Sequence, residues 1–175
     1  MPFKSISLAL ALSAAFVPSI VSALTCNQKS SFDAIESVLE SGADFTFIAG
    51  YATDVTYTGP SIVDQLDETK ERPPSQTLVT VFGGEYTSDG DFVWGRYVYD
   101  LNVKCYLNYG ECGSEPEIGS PRLFMLENKD GVLSGVSDVC GGSDLPIPSP
   151  AQSEAIKRCV ANGACASVDR ALWDE

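Results

Sequence analysis

Histidine is absent from this sequence, and its absence removes several kinds of chemistry. Without an imidazole there is no Ser-His-Asp triad, and a zinc site would depend on cysteine thiolates alone. No two cysteines have the C-x-x-C spacing that is typical of zinc ligands. We therefore predict neither a bound metal nor a cofactor.

Basic side chains are also scarce. The chain has 11 lysines and arginines against 24 acidic residues, which gives a net charge of −13 at pH 7. Nucleic acids and anionic membranes are both bound through positive surfaces, so we predict neither as a partner. The N-x-S/T sequon is absent too, so an extracellular form would owe its solubility to these charges and not to N-linked sugar.

No apolar run in the chain is long enough to cross a bilayer, which takes ~20 residues. At the N-terminus, Lys4 precedes about a dozen apolar residues, and Val21-Ser22-Ala23 form a small-residue cleavage site. This pattern predicts a signal peptide over residues 1–23 and a secreted or lumenal protein. Removal of the leader also removes Lys4, so the mature chain carries a net charge of about −14.

Behind this leader the chain contains six cysteines. An even number of cysteines in a secreted chain predicts three disulfides, and sequence alone cannot choose among the pairings. Proximity along the chain favours two short loops, and the remaining pair would tie the start of the chain to the sheet. The predicted pairs are Cys105–Cys112, Cys159–Cys165 and Cys26–Cys140.

Three segments have the apolar spacing of helices. Residues 29–41 place Phe32 and Ile35 on one face, and residues 61–72 begin at a serine cap and stop before two prolines. A third helix is predicted over residues 151–160. It follows a proline-rich stretch whose composition is typical of a linker.

Residues 44–51 allow two interpretations. Phe47, Ile48 and Tyr51 would share one face of a helix, whereas phenylalanine, threonine and isoleucine favour a strand by propensity. We favour the helix, followed by a short strand over residues 55–58.

From residue 76 onward the apolar period changes to two, which predicts a sheet. Two turn signals, Ser88-Asp89-Gly90 and Asn128-Lys129-Asp130-Gly131, divide the strands into two hairpins. The return strand of the first hairpin, residues 92–107, is unusually long, so we expect it to bend at Gly95 or at a bulge. The second hairpin covers residues 121–139.

The long strand has two unlike faces. One is apolar, and the other carries Phe92 and Trp94 near one end with Arg96, Val98 and Asp100 further along. Such a mixture suits the wall of a pocket, where apolar surface binds a ligand and a few polar groups orient it. The alternative is a twisted strand whose aromatic end lies under a helix while its charged end reaches water.

The order of these elements, together with three short motifs, resembles the nuclear transport factor 2-like superfamily. The motifs are Tyr51 to Pro60 (YATDVTYTGP), Gly84 to Tyr99 and Phe124 to Val132, which are similar to the helix end and the two hairpins of its polyketide-cyclase (SnoaL-like) branch. The resemblance covers residues 29–140. It implies that Phe47 to Tyr51 end a helix.

The fold that this resemblance implies is α+β. It is a cone-shaped, bent, mostly antiparallel sheet packed on N-terminal helices and stabilised by disulfides. The SnoaL-like domain would span residues 24–140. Residues 141–175 would form a proline-rich linker and a short helical tail with cysteines.

The resemblance also implies a ligand cavity inside the cone. The ligand-binding residues would be Tyr57, Trp94, Val98, Leu123, Met125 and Val136. Where ketosteroid isomerases of the superfamily place a catalytic base and a proton donor, this sequence has Gly59 and Leu123. The catalytic candidates are therefore limited to Asp100 and Asp138, with Arg96 as the partner of an anionic oxygen.

These observations lead to three functional hypotheses. The first is a secreted protein that binds a small, partly apolar ligand without catalysis. The second is a cyclase, isomerase or dehydratase that uses the pocket carboxylates. The third is an extracellular interaction module that forms a homodimer through an apolar sheet face with Tyr97 and Tyr99.

Overall fold

The computed structural model describes residues 30–58, 75–106, 111–138, 140–166 and 168–173. In these ranges the chain is α+β, with a mixed seven-stranded sheet, a two-stranded ribbon and two α-helices. The predicted signal peptide, the predicted helix over residues 61–72 and Cys26 lie outside the described residues. Among the helices that are described, none is long and apolar enough to cross a membrane.

The predicted α+β class is confirmed, as are the first and last predicted helices and both hairpins. The C-terminal residues end in a short 3-10 helix. In chain order the elements are α1 Ser31–Glu40, β1 Phe45–Tyr57, β2 Ser75–Tyr86, β3 Phe92–Val103, β4 Cys105–Tyr106, β5 Glu111–Cys112, β6 Pro121–Lys129, β7 Val132–Asp138, β8 Gly141–Gly142, β9 Asp144–Pro146, α2 Pro150–Asn162 and the 3-10 helix Arg170–Trp173.

The helix that we favoured over residues 44–51 is wrong, because this segment opens the long strand β1. β1 is central: Phe47 pairs with Tyr86 of β2 on one side and with Met125 of β6 on the other. Phe47 and Ile48 are both buried, but in different hydrophobic clusters. Apolar residues on both faces of a central strand can therefore imitate the spacing of a helix.

The strands of the main sheet close into a ring. β1, β2 and β3 form an antiparallel meander, β1 pairs with β6, and β7 pairs with both β3 and β6. The β3–β7 pair is parallel, in the register Tyr99 opposite Leu133. The sheet is thus a small barrel with β8 and β9 attached, and neither a cone nor a second N-terminal helix is seen in the described residues.

Three glycines lie side by side across β1, β2 and β3: Gly50, Gly83 and Gly95. A Cβ atom on Gly50 would clash with the carbonyl oxygen of Phe82, and one on Gly83 would lie 2.6 Å from that of Ala49. Strand glycines permit such close approach and sharp coiling of a sheet. We infer that this row of glycines allows the sheet to close.

Two hydrophobic clusters lie on opposite sides of this sheet. The barrel interior is occupied by large side chains, and a second cluster fills the space between the outer face and the helices. The interior contains Ile48, Ala52, Val79, Val81, Tyr99, Leu101, Val103, Phe124 and Leu126. The outer cluster includes Phe32, Ile35, Phe47, Tyr86, Leu123, Met125, Ile156, Cys159 and Cys165.

Local signals define both ends of α2, and a disulfide links α2 to the residues that follow it. The side chain of Ser149 begins α2 in a capping box with Gln152, and Gly163 ends it in the left-handed conformation with φ 63°. The predicted disulfide Cys159–Cys165 is confirmed.

The other two predicted disulfides involve Cys26, Cys105, Cys112 and Cys140. Cys140 is disulfide-bonded. Cys105 and Cys112 are directly opposite each other in the β4–β5 ribbon, as a bond between them would require. The Cys26–Cys140 and Cys105–Cys112 pairs stay predictions.

Candidate functional site

The most unusual surface of the described residues is a row of aromatic rings on the outer face of β1, β2 and β3. Tyr51, Phe82 and Trp94 are exposed by 39%, 42% and 62%. Ring centroids are separated by 6.1 Å between Tyr51 and Phe82 and by 5.7 Å between Phe82 and Trp94. We call these three residues the aromatic surface.

The strand register explains why these rings meet. Tyr51 lies opposite Phe82, and Phe82 lies opposite Arg96 on β3. Trp94 is the previous outward residue of β3 and lies opposite Gly84, which has no side chain to cover it. The ring of Phe92 instead lies over Gly84, in an edge contact with Trp94 at 5.6 Å.

A groove of about 350 Å³ continues from the aromatic surface towards the start of α2. None of the described residues that line it is charged. Three of them, Tyr51, Tyr86 and Ser153, carry hydroxyl groups, and the others are apolar or lack a side chain. The lining consists of Ala49, Gly50, Tyr51, Tyr86, Phe92, Trp94, Pro121, Ile147, Pro148, Pro150 and Ser153.

The hydroxyl groups of Tyr86 and Ser153 share a hydrogen bond of 2.8 Å across this groove. Burial raises the pKa of Tyr86, and the bond to Ser153 only partly offsets that effect. The phenol therefore stays protonated at neutral pH. Each of the two hydroxyls keeps further hydrogen-bonding capacity for a ligand.

The residues predicted to line a cavity do not surround one common space. Trp94 lies in the groove and Val98 is exposed on the same face of β3. Leu123 and Met125 are buried beneath the helices, and Val136 is half-buried on β7.

Tyr57 lies apart from these residues, near the end of β1, and is 55% exposed. Its hydroxyl donates to a carboxylate oxygen of Glu115 at 2.5 Å. This hydrogen bond raises the pKa of the phenol. Its role is to fasten the loop that contains Glu115 to β1.

The three catalytic candidates are also separate. Arg96 and Asp100 are exposed on the same face of β3, about 13 Å apart by the rise of a strand. Asp138 lies at the end of β7, where one carboxylate oxygen accepts a bond from the backbone N–H of Cys140 at 3.1 Å. The structure therefore does not bring these side chains together, and the described residues hold no metal-ligating cluster of three or more acidic, cysteine or histidine side chains.

Sequence reasoning missed Tyr51, Phe82 and Tyr86 as site residues. A signal for two of them was present, because the turn at Ser88-Asp89-Gly90 sets the register of β2 against β3. Counting back from that turn places Tyr86 opposite Phe92 and Phe82 opposite Arg96. No sequence signal pointed to Pro148, which reaches the groove through the tertiary fold.

Comparisons with known proteins add no relative: no family model, curated protein or solved structure matches this chain. Function must therefore be inferred from the geometry of the site. Within Tyr51 to Pro60, the first of the motifs that carried the sequence resemblance, residues 51–57 are part of a continuous strand and not the junction of a helix and a strand. The rest of that resemblance stays a prediction.

Proposed function

We propose that this chain is a secreted binding protein without catalytic activity, and that it holds an uncharged, partly apolar ligand on the aromatic surface and in the adjoining groove. One observation carries this proposal. The molecule buries Phe47, Phe124 and Tyr99 almost completely, yet it leaves three aromatic rings exposed side by side. Contiguous exposed apolar surface is typical of binding sites.

The framework of the site supports this proposal. The outward side chains of β1 and β2 come from strands that are paired on both sides, so their positions are well defined. Binding groups on regular elements are held more accurately than groups on loops. A groove with apolar walls and a few hydroxyl groups is also the usual composition of a small-ligand site.

The absence of catalysis is supported by the separation of Arg96, Asp100 and Asp138. General acid–base catalysis needs an acid or base within hydrogen-bonding reach of the reacting group, usually beside an electrostatic partner. The three side chains lie at different positions along two strands and do not face the groove. The enzyme hypothesis therefore has less support than binding.

A second candidate function is an interaction module, and a specific observation favours it. Residues 92–98 of β3 pair only with β2 among the described strands, because β7 joins β3 at Tyr99. This edge exposes Val93 by 51% and Val98 by 49%. An unprotected edge of this kind can accept a strand of a second copy. This edge is not the dimer surface predicted from the sequence. That surface contained Tyr97 and Tyr99, and Tyr99 is buried inside the barrel.

The binding proposal is tested with an uncharged, apolar fluorescent probe, Nile red, titrated into residues 24–175. We expect Trp94→Ala to weaken probe binding by about tenfold, which corresponds to 1.4 kcal/mol. Ile118→Ala is the matched control, because Ile118 is 60% exposed but lies outside the groove. Equal binding by both variants would contradict the proposal.

The interaction module is tested separately by sedimentation velocity. If the edge of β3 joins two copies, Val98→Lys should convert a dimer into a monomer, because charged side chains block edge pairing. The control is Val132→Lys, since Val132 is 56% exposed on β7. A monomeric wild-type protein at high concentration would end this candidate.

A further inference from the structure

The lining of the groove indicates that its ligand carries no net charge. The chain has 24 acidic residues, yet none of the described residues that line the groove is one of them. A cationic ligand would be expected to meet a carboxylate, and an anionic ligand would be repelled by the net charge of the protein. The groove is therefore best matched by a neutral molecule.

The same lining indicates that the ligand has hydroxyl or similar polar groups. Tyr51, Tyr86 and Ser153 contribute three hydroxyls, and the bond between Tyr86 and Ser153 uses only part of their capacity. A pure hydrocarbon would remove these groups from water without replacing their hydrogen bonds, which is unfavourable. A polyhydroxylated ligand would replace them.

The arrangement of rings suits a ligand that is itself made of flat rings in a row. The planes of Phe82 and Trp94 are inclined by only 30°, so these two rings form a nearly flat platform. Tyr51 borders this platform at a centroid distance of 6.1 Å, with its ring tilted by 56° to that of Phe82. In a β-linked glucose unit all hydroxyls are equatorial, so the ring has apolar faces of axial C–H groups and a rim of hydroxyls. Such a face can stack on an aromatic ring while the rim bonds to the neighbouring hydroxyl groups.

We infer that the aromatic surface and the groove bind a neutral polysaccharide of the β-linked glucan class, with sugar rings stacked on Phe82 and Trp94 and with Tyr51 at their edge. This inference rests on the proposed function and names its ligand. Trp94 is 62% exposed, so the row is open to solvent at one end. An open row fits a segment of an extended chain better than an enclosed single sugar.

The experiment uses the two tryptophans of the chain. Trp173 is half-buried against Phe32 at a centroid distance of 5.8 Å and lies outside the groove. In a Trp173→Phe protein, fluorescence therefore reports on Trp94 alone. Cellohexaose and laminarihexaose are the neutral probes, and a hexamer of galacturonic acid is the charged comparison.

We expect at least one neutral hexasaccharide to shift the emission of Trp94 to shorter wavelength. In calorimetry, Phe82→Ala should weaken its binding by about tenfold or more, whereas the control Ile118→Ala should leave it unchanged. The galacturonate hexamer should bind at least tenfold more weakly. Phe82 is exposed, so its variant should fold, and circular dichroism verifies this.

Three results would overturn the inference. One is the absence of binding by both neutral probes, a second is binding that Phe82→Ala leaves unchanged, and a third is equal or tighter binding of the charged hexamer. If the neutral sugars fail while Nile red still binds in a Trp94-dependent manner, the carbohydrate class is wrong and the proposed function stands. If neither binds through Trp94, both are wrong.

Discussion

Two regions of the same sheet face show how differently similar residues are used. On the outer face of β1 and β2, Phe47 is 1% exposed beneath the helices, while Phe82 is 42% exposed in the aromatic surface. Both are phenylalanines in central strands, and both point to the same side of the sheet. They differ in what covers them: α1 and α2 pack over the first and stop before the second. The face is thus divided into a part that the helices cover and a part that is open to solvent.

The largest expected effect comes from removing one ring on each side of this boundary. Phe47→Ala should lower the free energy of unfolding by about 3–5 kcal/mol, because it opens a cavity under the helices. Phe82→Ala should lower it by about 1 kcal/mol or less, since an exposed ring loses few contacts. Urea denaturation measures both. Similar losses for the two variants would contradict the division of the face.

The second prediction concerns the disulfide that links α2 to the segment directly after it. Cys159 and Cys165 are 1% and 3% exposed and are joined by a disulfide in the outer cluster. Replacement of both by alanine should cost about 2–3 kcal/mol, because a cross-link restricts the unfolded chain and this loop is short. The single-tryptophan emission of Trp94 should stay unchanged in the folded variant. A shift would mean that the two parts are coupled.

The third prediction concerns Tyr99, which is buried inside the barrel. Burial is the main cause that raises the pKa of Tyr99, and Asp144 adds to it. The unfolded phenol titrates near its usual value of about 10. Stability should therefore be complete below pH 10 and fall above it by up to about 1.4 kcal/mol per pH unit, as only the unfolded state ionises.

Tyr99→Phe tests this, because it removes the ionisable group and should reduce the alkaline loss of stability. At pH 8 the difference between the variant and the wild type is independent of this ionisation and serves as the reference. Denaturation midpoints between pH 8 and pH 11 provide the measurement. If the two proteins lose stability in parallel above pH 10, another group is responsible.

The smallest expected effect lies at the edge of the covered part. Arg170 in the 3-10 helix pairs with Asp33 at 2.7 Å and Glu36 at 3.1 Å, and its guanidinium lies 5.0 Å from the centroid of Phe32. Because the side chain of Arg170 is 62% exposed, Arg170→Gln should cost only about 0.5–1 kcal/mol.

Salt distinguishes the two contributions of Arg170, which are its ion pairs with Asp33 and Glu36 and the contact of its guanidinium with the ring of Phe32. The ion-pair contribution should shrink at 1 M NaCl, where charges at the surface are screened within about 3 Å. Arg158→Gln is the charge-matched control on α2. An equal loss for Arg158→Gln would show that net charge, and not the contact of Arg170 with α1, sets the effect.

Much of the fold could be predicted where a local signal is strong. The apolar spacing of residues 151–160 after a proline-rich stretch predicted α2, and the turn at Asp130 and Gly131, with φ 55° and 83°, marked the second hairpin. The segment Phe45 to Tyr51 could not be assigned in this way. A strand between two partners is apolar on both faces, and its partners, Tyr86 and Met125, are distant in sequence.

The candidate site was predictable only in part. Alternation along β3 correctly placed Phe92, Trp94, Arg96 and Val98 on one face, and that face does carry the aromatic surface. The cavity assigned to it required a cone, whereas the pairing of β7 with both β3 and β6 closes the sheet. In the closed barrel, aliphatic and aromatic side chains fill the interior. The face of β3 that carries both aromatic and charged side chains therefore points outward.

Along β3, the sequence was enough to predict which side chains share a face, because neighbouring residues of a strand point to opposite faces. Which face is outside, and which part of it stays open, is set by the packing of segments that are distant in the chain. That packing depends on contacts between distant residues, such as the hydrogen bond between Tyr86 and Ser153, which are 67 positions apart. No local pattern contains such a contact, because burial depends on what packs over a residue and not on its neighbours in the chain.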